Sequence, residues 1–298
     1  MAITRQVAIG SLLAISAFTL WGLFPIYWKQ LVEVDPVEVL AHRVIWSVPF
    51  VVIVLLVLRR LHDLLHIIRN PLYLGQLCLT ACLITTNWGI YIWAMAENKI
   101  IEASMGYFLS PIMSVGLGLL MFHERLSQAQ WWAIAIASTG VLYMFIANNI
   151  LPWVALALAA SFALYGGLRK KNGIDAITGL LVETLLAMPL ALAWLGYIYA
   201  DRTSSFSNLS LQTDILLIGG GIITALPLML FVAGTKHLQL SSIGILFYLT
   251  PSIQFIIGWQ IYQEPLNQAN VIAFSCIWTA LAIFGWQSYS AAHQKHQT

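Results

Sequence analysis

The chain alternates long apolar runs with short polar or turn-forming segments. Most runs are about 20 residues long, the length at which an α-helix crosses the ~30 Å hydrocarbon core of a bilayer. Ten helical spans are predicted, near residues 7–28, 37–58, 71–95, 102–121, 129–147, 151–168, 176–199, 213–233, 241–261 and 268–289. The longest segments between them, 59–70 and 200–212, are too short for a soluble domain. The pattern predicts an all-α membrane protein that functions through its helices.

Composition supports lipid as the main solvent of this chain. Of its 298 residues, 60% are hydrophobic and 9% are charged, whereas soluble domains carry roughly 25% charged residues. So few charges cannot cover a surface that faces water. The formal net charge of +2 gives no reason to expect a nucleic-acid partner.

Lys and Arg are distributed unevenly between the two sides of the predicted bundle. Ten of the fourteen fall on one side, namely Arg5, Arg59, Arg60, Arg69, Arg125, Arg169, Lys170, Lys171, Lys236 and Lys295. Lys29, Lys99 and Arg202 fall on the other side, and Arg43 lies within the second span. Because cytoplasmic loops are enriched in Lys and Arg, both termini are predicted to be cytoplasmic.

The two halves of the chain match at a fixed shift in residue number, which we call the repeat offset. Tyr-Phe-Leu-Ser-Pro at 107–111 corresponds to Phe-Tyr-Leu-Thr-Pro at 247–251, so the repeat offset is 140. It relates three further pairs, Asp35 and Asp175, Pro49 and Pro189, and Glu124 and Glu264. The first spans match more loosely, with 18–22 corresponding to 162–166 at a shift of 144. Two repeats are therefore predicted, 1–148 and 149–298.

Each predicted repeat has five spans, an odd number, so the second repeat enters the membrane from the opposite side. Inverted repeats of this kind typically bind substrate between the halves and open to either side in turn. The pattern therefore favours a secondary transporter, although duplication can also build a stable bundle without transport.

Several motifs carry a family resemblance. They are His-Arg-Val-Ile-Trp-Ser at 42–47, Asn-Trp at 87–88, Glu-Ala-Ser-Met-Gly-Tyr-Phe at 102–108, Tyr-Gly at 165–166, Arg-Lys-Lys at 169–171 and the segment 275–284. With these motifs the chain resembles the RarD group of EamA-domain proteins, in the drug/metabolite transporter superfamily. The resemblance covers nearly the whole chain. It implies ten helices in two inverted EamA repeats, residence in a bacterial inner membrane and carriage of metabolites or drugs.

Two ionisable residues within the spans, Arg43 and Glu183, are related by the repeat offset. Charged groups in spans usually face a pathway or a partner. In one interpretation both contact substrate: Arg43 binds a carboxylate through its planar guanidinium, and Glu183 binds an amine or carries a proton. In the other they are structural, with Arg43 paired to Glu38 or to Glu183.

Other polar and aromatic residues complete the candidate substrate site. His42 is either a proton carrier near neutral pH or a hydrogen-bonded residue between helices. Asn87 needs a partner in lipid, which is either substrate or a neighbouring helix. The aromatic candidates are Trp21, Trp46, Trp88, Tyr91, Tyr107, Tyr165 and Tyr248. As a set they predict a lining of flat amphipathic surfaces, although each one also suits helix packing.

Pro111 and Pro251 interrupt the fourth and ninth spans at equivalent positions. Each removes a backbone hydrogen bond, which Ser110 or Thr250 beside it can help to replace. These sites are either hinges for alternating access or static kinks. Glycines at 116, 118 and 219–221 permit close helix approach, either inside the bundle or between two copies in a homodimer.

Motifs for enzymatic chemistry are not found in the sequence. It has neither a nucleotide-binding P-loop nor a serine-hydrolase or zinc-protease signature. His62 and His66 have the spacing of metal ligands on a helix, but no third ligand accompanies them. No cofactor, metal or catalytic residue is predicted, and transport is expected to be driven by a gradient.

The predicted function is therefore the transport, in the outward direction, of a small metabolite such as an amino-acid-like zwitterion or an amphipathic drug. The alternatives are a membrane-embedded enzyme and a non-transporting membrane interaction protein.

Overall fold

The computed structural model describes residues 2–96, 100–148, 153–263 and 268–294, and the regular secondary structure in these ranges is helical. Lys99, Glu264 and Lys295 lie outside the described residues. The helices are α1 (Ala2–Trp28), α2 (Pro36–Val57), α3 (Leu61–Arg69), α4 (Pro71–Ala96), α5 (Ile100–Phe122), α6 (Gln128–Asn148), α7 (Trp153–Asn172), α8 (Ala176–Ala200), α9 (Leu211–Thr235), α10 (Leu240–Phe247), α11 (Leu249–Ile256) and α12 (Gln268–Gln294). A 3₁₀ turn, Lys29–Leu31, follows α1, and a π-helical turn, Ile257–Ile261, follows α11.

Six segments of the described chain are long and apolar enough to cross a membrane. They are Arg5–Leu31, Pro36–Val57, Gln128–Ala147, Ala176–Ala200, Leu211–Thr235 and Leu240–Ile261. A seventh is obtained if α3 and α4, which meet at a bend of 99°, are counted together. Gly106–Phe122 and Val271–Ile283 are apolar but shorter. The prediction of an all-helical membrane protein is confirmed at this level.

Aspartates begin two of the central helices in the same way. The carboxylate of Asp35 accepts hydrogen bonds from the amides of Val37 (2.9 Å) and Glu38 (3.1 Å) at the start of α2. The carboxylate of Asp175 accepts from the amides of Ile177 and Thr178, both at 3.1 Å, at the start of α8. Such caps satisfy backbone donors that have no partner within the helix. Two positions related by the repeat offset thus carry out the same local task.

The repeat offset recurs in the helices themselves. It separates the first residues of two helix pairs, Pro36 and Ala176, and Pro71 and Leu211. Packing follows the same relation: α2 packs on α8, α5 on α10 and α6 on α12. The contact of α1 with α9 is mirrored by that of α7 with α4. Helices at equivalent positions therefore have equivalent neighbours.

One end of the bundle gathers many of the basic residues, and we call it the basic end. Here the carboxylate of Glu124, at the end of α5, accepts from the amides of Leu240 (2.7 Å) and Ser241 (3.0 Å) and from the Ser241 hydroxyl (2.7 Å). Lys170 Nζ, at the end of α7, lies 3.2 Å from Glu124 Oε1. Glu124 therefore caps α10 rather than α6, the next helix along the chain.

The segment 59–70, expected to be a connecting loop, forms the short helix α3 at the basic end. Leu61, Leu65 and Ile68 are exposed on it, at spacings that place them on one face. Arg60 holds α3 to the start of α8 because its guanidinium reaches Asp63 at 2.8 Å and Asp175 at 3.1 Å. An amphipathic helix of this kind suits the plane of a membrane interface.

Most of the close-approach glycines act inside the bundle. A side chain at Gly221 would collide with the backbone of Trp46 and Ser47, so this glycine lets α9 cross α2 at short distance. Ser47 fixes the crossing by donating to the Gly221 carbonyl at 3.0 Å. Gly118 faces the Glu124 carboxylate, whereas Gly116 faces open space.

The Glu124 cap makes stability depend on pH. Burial raises the pKa of Glu124, but hydrogen bonds from Ser241 and Leu240 and the charge of Lys170 together hold it below its ordinary value of 4.5. We expect Glu124→Gln to lower the free energy of unfolding at pH 7 by about 1–3 kcal/mol, because an amide cannot accept all of these bonds. The stabilisation is complete above pH 4.5 and is lost as the pH falls through the folded-state pKa.

Thermal unfolding in detergent between pH 7 and about pH 3 measures this effect. The gap between the native protein and Glu124→Gln should narrow below pH 4.5, because the native carboxylate is then protonated as well. Glu33→Gln, at an exposed position, is the matched control and should leave stability unchanged. A gap that stays constant down to about pH 3 would contradict the assignment.

Candidate functional site

Arg43 lies in α2 two turns after its Asp35 cap and is half-buried. Its Nε donates a hydrogen bond to Thr224 Oγ1 on α9 at 2.8 Å. The Thr224 hydroxyl donates its own proton to the Gly220 carbonyl at 2.7 Å, so its oxygen is oriented as an acceptor toward Arg43. The guanidinium carbon lies 4.7 Å from the ring centroid of Trp28 and 5.3 Å from that of Trp88. These distances are those of cation–π contacts.

Two tyrosines complete the environment of Arg43. The rings of Tyr91 and Tyr107 meet at 6.0 Å, and Tyr107 stacks on Phe247 at 6.2 Å. Both residues lie near Arg43. We refer to Trp28, Arg43, Trp88, Tyr91, Tyr107 and Thr224 as the Arg43 group. It draws residues from α1, α2, α4, α5 and α9, so it lies where both halves of the chain meet.

Neither expected carboxylate partner of Arg43 is in contact with it. Among the described side chains, no carboxylate lies within 4.0 Å of its guanidinium. Glu38 is fully buried and instead accepts from the amides of Ser205 (2.8 Å) and Phe206 (3.1 Å). Glu38 therefore organises the loop between α8 and α9, at the end of the bundle opposite the basic end.

Glu183 is held in a separate buried cluster nearer the basic end. Its side chain is 2% exposed and accepts from the hydroxyls of Thr80 and, at 3.2 Å, Tyr165. Arg169 Nε lies 3.5 Å from Glu183 Oε1, and Arg169 is 0% exposed. Each carboxylate oxygen has a polar partner, and the negative charge faces a cation. Tyr165 was expected in the substrate site, and in the structure its hydroxyl is engaged by Glu183.

Arg169 was assigned from the sequence to the basic surface, and its burial was missed. It reaches back across the turn between α7 and α8, where its Nη2 donates to the carbonyls of Asp175 (3.3 Å) and Ala176 (3.4 Å). Gly179 makes room for it, since a side chain there would collide with the guanidinium. The sequence did contain a signal for this burial, namely the short turn after α7. Such a turn brings residues near the end of α7 beside those near the start of α8.

His42 and Trp46 lie on a different face of α2 from Arg43. Trp46 Nε1 donates to His42 Nδ1 at 3.1 Å, and the His42 ring packs on Phe206 at 4.8 Å. His42 Nε2 lies 4.0 Å from Glu38 Oε1. The hydrogen bond of His42 thus lies within α2, its ring packs on the loop between α8 and α9, and both roles left open for it stay predictions.

Trp21 belongs to an aromatic cluster between the Arg43 group and the Glu183 cluster. Its ring lies 5.9 Å from Phe18, 5.5 Å from Phe162 and 5.6 Å from Phe231. Phe18 and Phe162 are themselves equivalent at the shift of 144 between the first spans of the two halves. Trp21 therefore packs where equivalent residues of the two halves meet.

Asn87 joins α4 to α7. Its amide donates to the Leu158 carbonyl at 2.8 Å and to the Ser161 hydroxyl at 2.9 Å. Of the two partners left open for Asn87, the structure supplies the neighbouring helix.

Tyr248 and the two prolines lie away from the Arg43 group. Tyr248 stands at the break between α10 and α11, before Pro251, whereas α5 continues through Pro111. A small open hollow between α5, α6, α10 and α12 is lined by Tyr248, Pro111 and apolar side chains. Ser110 donates to the Gly106 carbonyl and Thr250 to the Phe18 carbonyl of α1. The equivalent prolines therefore have different surroundings, and their role as hinges stays a prediction.

Comparison with known proteins places these features in a family. The sequence profile of the EamA-like transporter family matches residues 8–146. The chain is 39% identical over 284 residues to an uncharacterized transporter of Vibrio cholerae, covering 95% of this chain and 94% of that one. It is 38% identical over 281 residues to Protein RarD of Escherichia coli, covering 94% of each chain. It is 40% identical over 286 residues to the uncharacterized transporter YojE of Bacillus subtilis, covering 93% and 95%.

A solved crystal structure shares the fold, with a TM-score of 0.70 at 17% identity, covering 92% of this chain and 96% of that one. The helical fold and these relatives define a multi-pass membrane protein of a bacterial transporter class. Within that class, the chain belongs to the RarD group of the EamA-like transporter family. The family resemblance read from the motifs is confirmed.

The fit of Arg169 against Gly179 yields a test of the Glu183 cluster. We expect Gly179→Ala to lower the free energy of unfolding by about 1–3 kcal/mol, because the added methyl group displaces the guanidinium from Glu183. Gly196→Ala, in the same helix and with open space around it, is the matched control. It should be neutral or stabilising by up to ~1 kcal/mol, as alanine favours helix. Thermal unfolding in detergent measures both, and equal melting temperatures would contradict this role for Gly179.

Proposed function

We propose that the chain is a secondary transporter that carries a small molecule across the bacterial inner membrane by alternating access of two inverted repeats, 1–148 and 149–298. The observation that carries the proposal is the repeat offset. It relates helix starts, caps and packing partners throughout the chain. Two units built alike can exchange their packing, so that a site between them opens first to one side and then to the other.

Inversion of the repeats requires five crossings in each half. In the proposed topology the crossings are α1, α2, α4, α5 and α6, then α7, α8, α9, the α10–α11 pair and α12, while α3 lies at the interface. Four of these crossings, α4, α5, α7 and α12, are not among the six long apolar segments described above. The helix α7 ends in Arg169, Lys170 and Lys171, and α4 meets α3 at a bend. In α5 and α12 the described apolar stretches are Gly106–Phe122 and Val271–Ile283.

The excess of Lys and Arg at the basic end supports a cytoplasmic location for that end and for both termini. Outward transport and a gradient as the energy source belong to the same proposal. The absence of a nucleotide-binding motif from the sequence supports a gradient over ATP hydrolysis.

The Arg43 group is the proposed substrate site. It lies where the halves meet, its arginine is half-buried rather than sealed, and it combines a cation with aromatic surfaces. The Glu183 cluster, in contrast, is internally paired. This difference favours a binding role for Arg43 and a structural role for Glu183. Of the two charges first considered for binding a zwitterion, only Arg43 then belongs to the proposed site.

Alternating access can be tested before any substrate is known. In a variant whose three cysteines, Cys78, Cys82 and Cys276, are replaced by alanine, Tyr107→Cys introduces one thiol in the Arg43 group. We expect a membrane-impermeant maleimide to label it from outside in right-side-out vesicles and from inside in inverted vesicles, because the site opens to each side in turn.

The matched control is Asn208→Cys, in the exposed loop between α8 and α9, which should be labelled in one vesicle orientation only. Labelling of the thiol at position 107 from one side alone would count against alternating access. That result would favour a membrane-embedded enzyme or an interaction protein, the two alternatives left open by the sequence.

A further inference from the structure

Positions 43 and 183 are equivalent in the two halves, carry opposite charges and have different partners. Glu183 has Arg169, from the preceding helix, as its counter-ion. The shift of 144 that relates α7 to α1 places Pro25 in α1 where α7 has Arg169. The first half therefore supplies no counter-charge at the position from which the second half neutralises its own buried ion.

The helix that faces each charge also differs. Thr80 of α4 donates a hydrogen bond to Glu183. Its equivalent at the repeat offset is Gly220 of α9, which faces the aliphatic part of Arg43, where a Cβ would stand 3.5 Å from Arg43 Cγ. Glycine therefore adds no polar side chain on this side of Arg43, where the other half has a threonine hydroxyl.

The guanidinium retains hydrogen-bonding capacity. Of its five N–H donors, the one on Nε is engaged by Thr224. Within the described part of the chain, neither Nη group donates to a side chain or a backbone carbonyl. Two parallel N–H groups at this end match the two oxygens of a carboxylate.

The aromatic rings around Arg43 indicate the shape and polarity of the part of the ligand that does not contact the guanidinium. Trp28 and Trp88 lie against the guanidinium, and the paired rings of Tyr91 and Tyr107 lie near it. Such surfaces suit a planar apolar body. Among the described side chains, no carboxylate pairs with Arg43, and the nearest candidates by sequence, Glu38 and Glu183, have other partners.

We infer that the Arg43 group binds a small organic anion, whose carboxylate is held by the two Nη groups of Arg43 and whose planar apolar body lies against the aromatic rings. This inference rests on the proposed transport function and specifies its substrate class. A cation is repelled by Arg43, and among the described side chains none around Arg43 supplies a counter-charge for the ammonium group of a zwitterion.

Four indole compounds that differ in charge test this inference. They are indole-3-acetate (anion), indole-3-acetamide (neutral), tryptamine (cation) and tryptophan (zwitterion). Equilibrium dialysis against the purified full-length protein in detergent measures their affinities. We expect indole-3-acetate to bind at least about tenfold more tightly than the amide or tryptamine, because a bidentate guanidinium–carboxylate pair adds charge-assisted hydrogen bonds. Tryptophan should bind more weakly than indole-3-acetate.

Variants assign the preference to Arg43. In Arg43→Gln the affinity for the anion should fall to that for the amide, while the affinity for the amide changes by less than about twofold. Arg43→Lys, which keeps the charge without the planar fork, should lose part of the preference, and it serves as the test if the glutamine variant does not fold. Arg125→Gln, at an exposed position of the basic end, is the matched control and should keep the full preference.

Three results would overturn the inference: tightest binding of tryptamine or tryptophan, a preference for the anion that survives in both Arg43 variants, or no binding of any of the four compounds. The thiol-labelling experiment at position 107, described above, shows independently whether the proposed transport function fails. If position 107 is labelled from both sides and one of these three binding results is obtained, the transport proposal stands and the substrate class is rejected. Labelling from one side would reject transport itself.

Discussion

An ionised side chain among membrane helices must find a partner, since leaving a buried charge unpaired costs several kcal/mol. Glu183 meets this constraint in full. Thr80, Tyr165 and Arg169 approach it from α4 and α7, so three helices are held at one point. Gly179 is required in α8 because the guanidinium occupies the space of its side chain. Much of the packing near the basic end depends on this one neutralised charge.

Arg43 occupies the position equivalent to Glu183 in the first half of the chain, but its partners are of a different kind. Its charge is met by aromatic faces and a threonine hydroxyl, which stabilise a guanidinium without neutralising it. Aromatic rings leave the ends of the planar fork free for an incoming group. A repeated backbone therefore carries one charge that is paired with an opposite charge inside the protein and another that faces aromatic rings and a hydroxyl, and this difference makes the two halves distinct.

Buried carboxylates also organise the two ends of the bundle. Glu124 caps α10 at the basic end, and Glu38 binds the amides of Ser205 and Phe206 at the opposite end. Both act on backbone N–H groups that otherwise have no partner away from water. Because each joins segments distant in the chain, they restrain the ends of the helices, while the contacts around Arg43 remain weaker aromatic and hydroxyl contacts.

The sequence by itself determined the helices and the family. Apolar length and the repeat offset are local or internal properties, and most helix bounds follow them, apart from α3 and the break between α10 and α11. It also singled out Arg43 and Glu183, because charge is conspicuous in an apolar span. The partners were decided only by the tertiary structure: Arg169 for Glu183, and Thr224 and Trp28 for Arg43. Which side chains meet depends on the rotation and crossing of helices, and an apolar sequence with weak amphipathic periodicity leaves that rotation undetermined until all the helices are packed together.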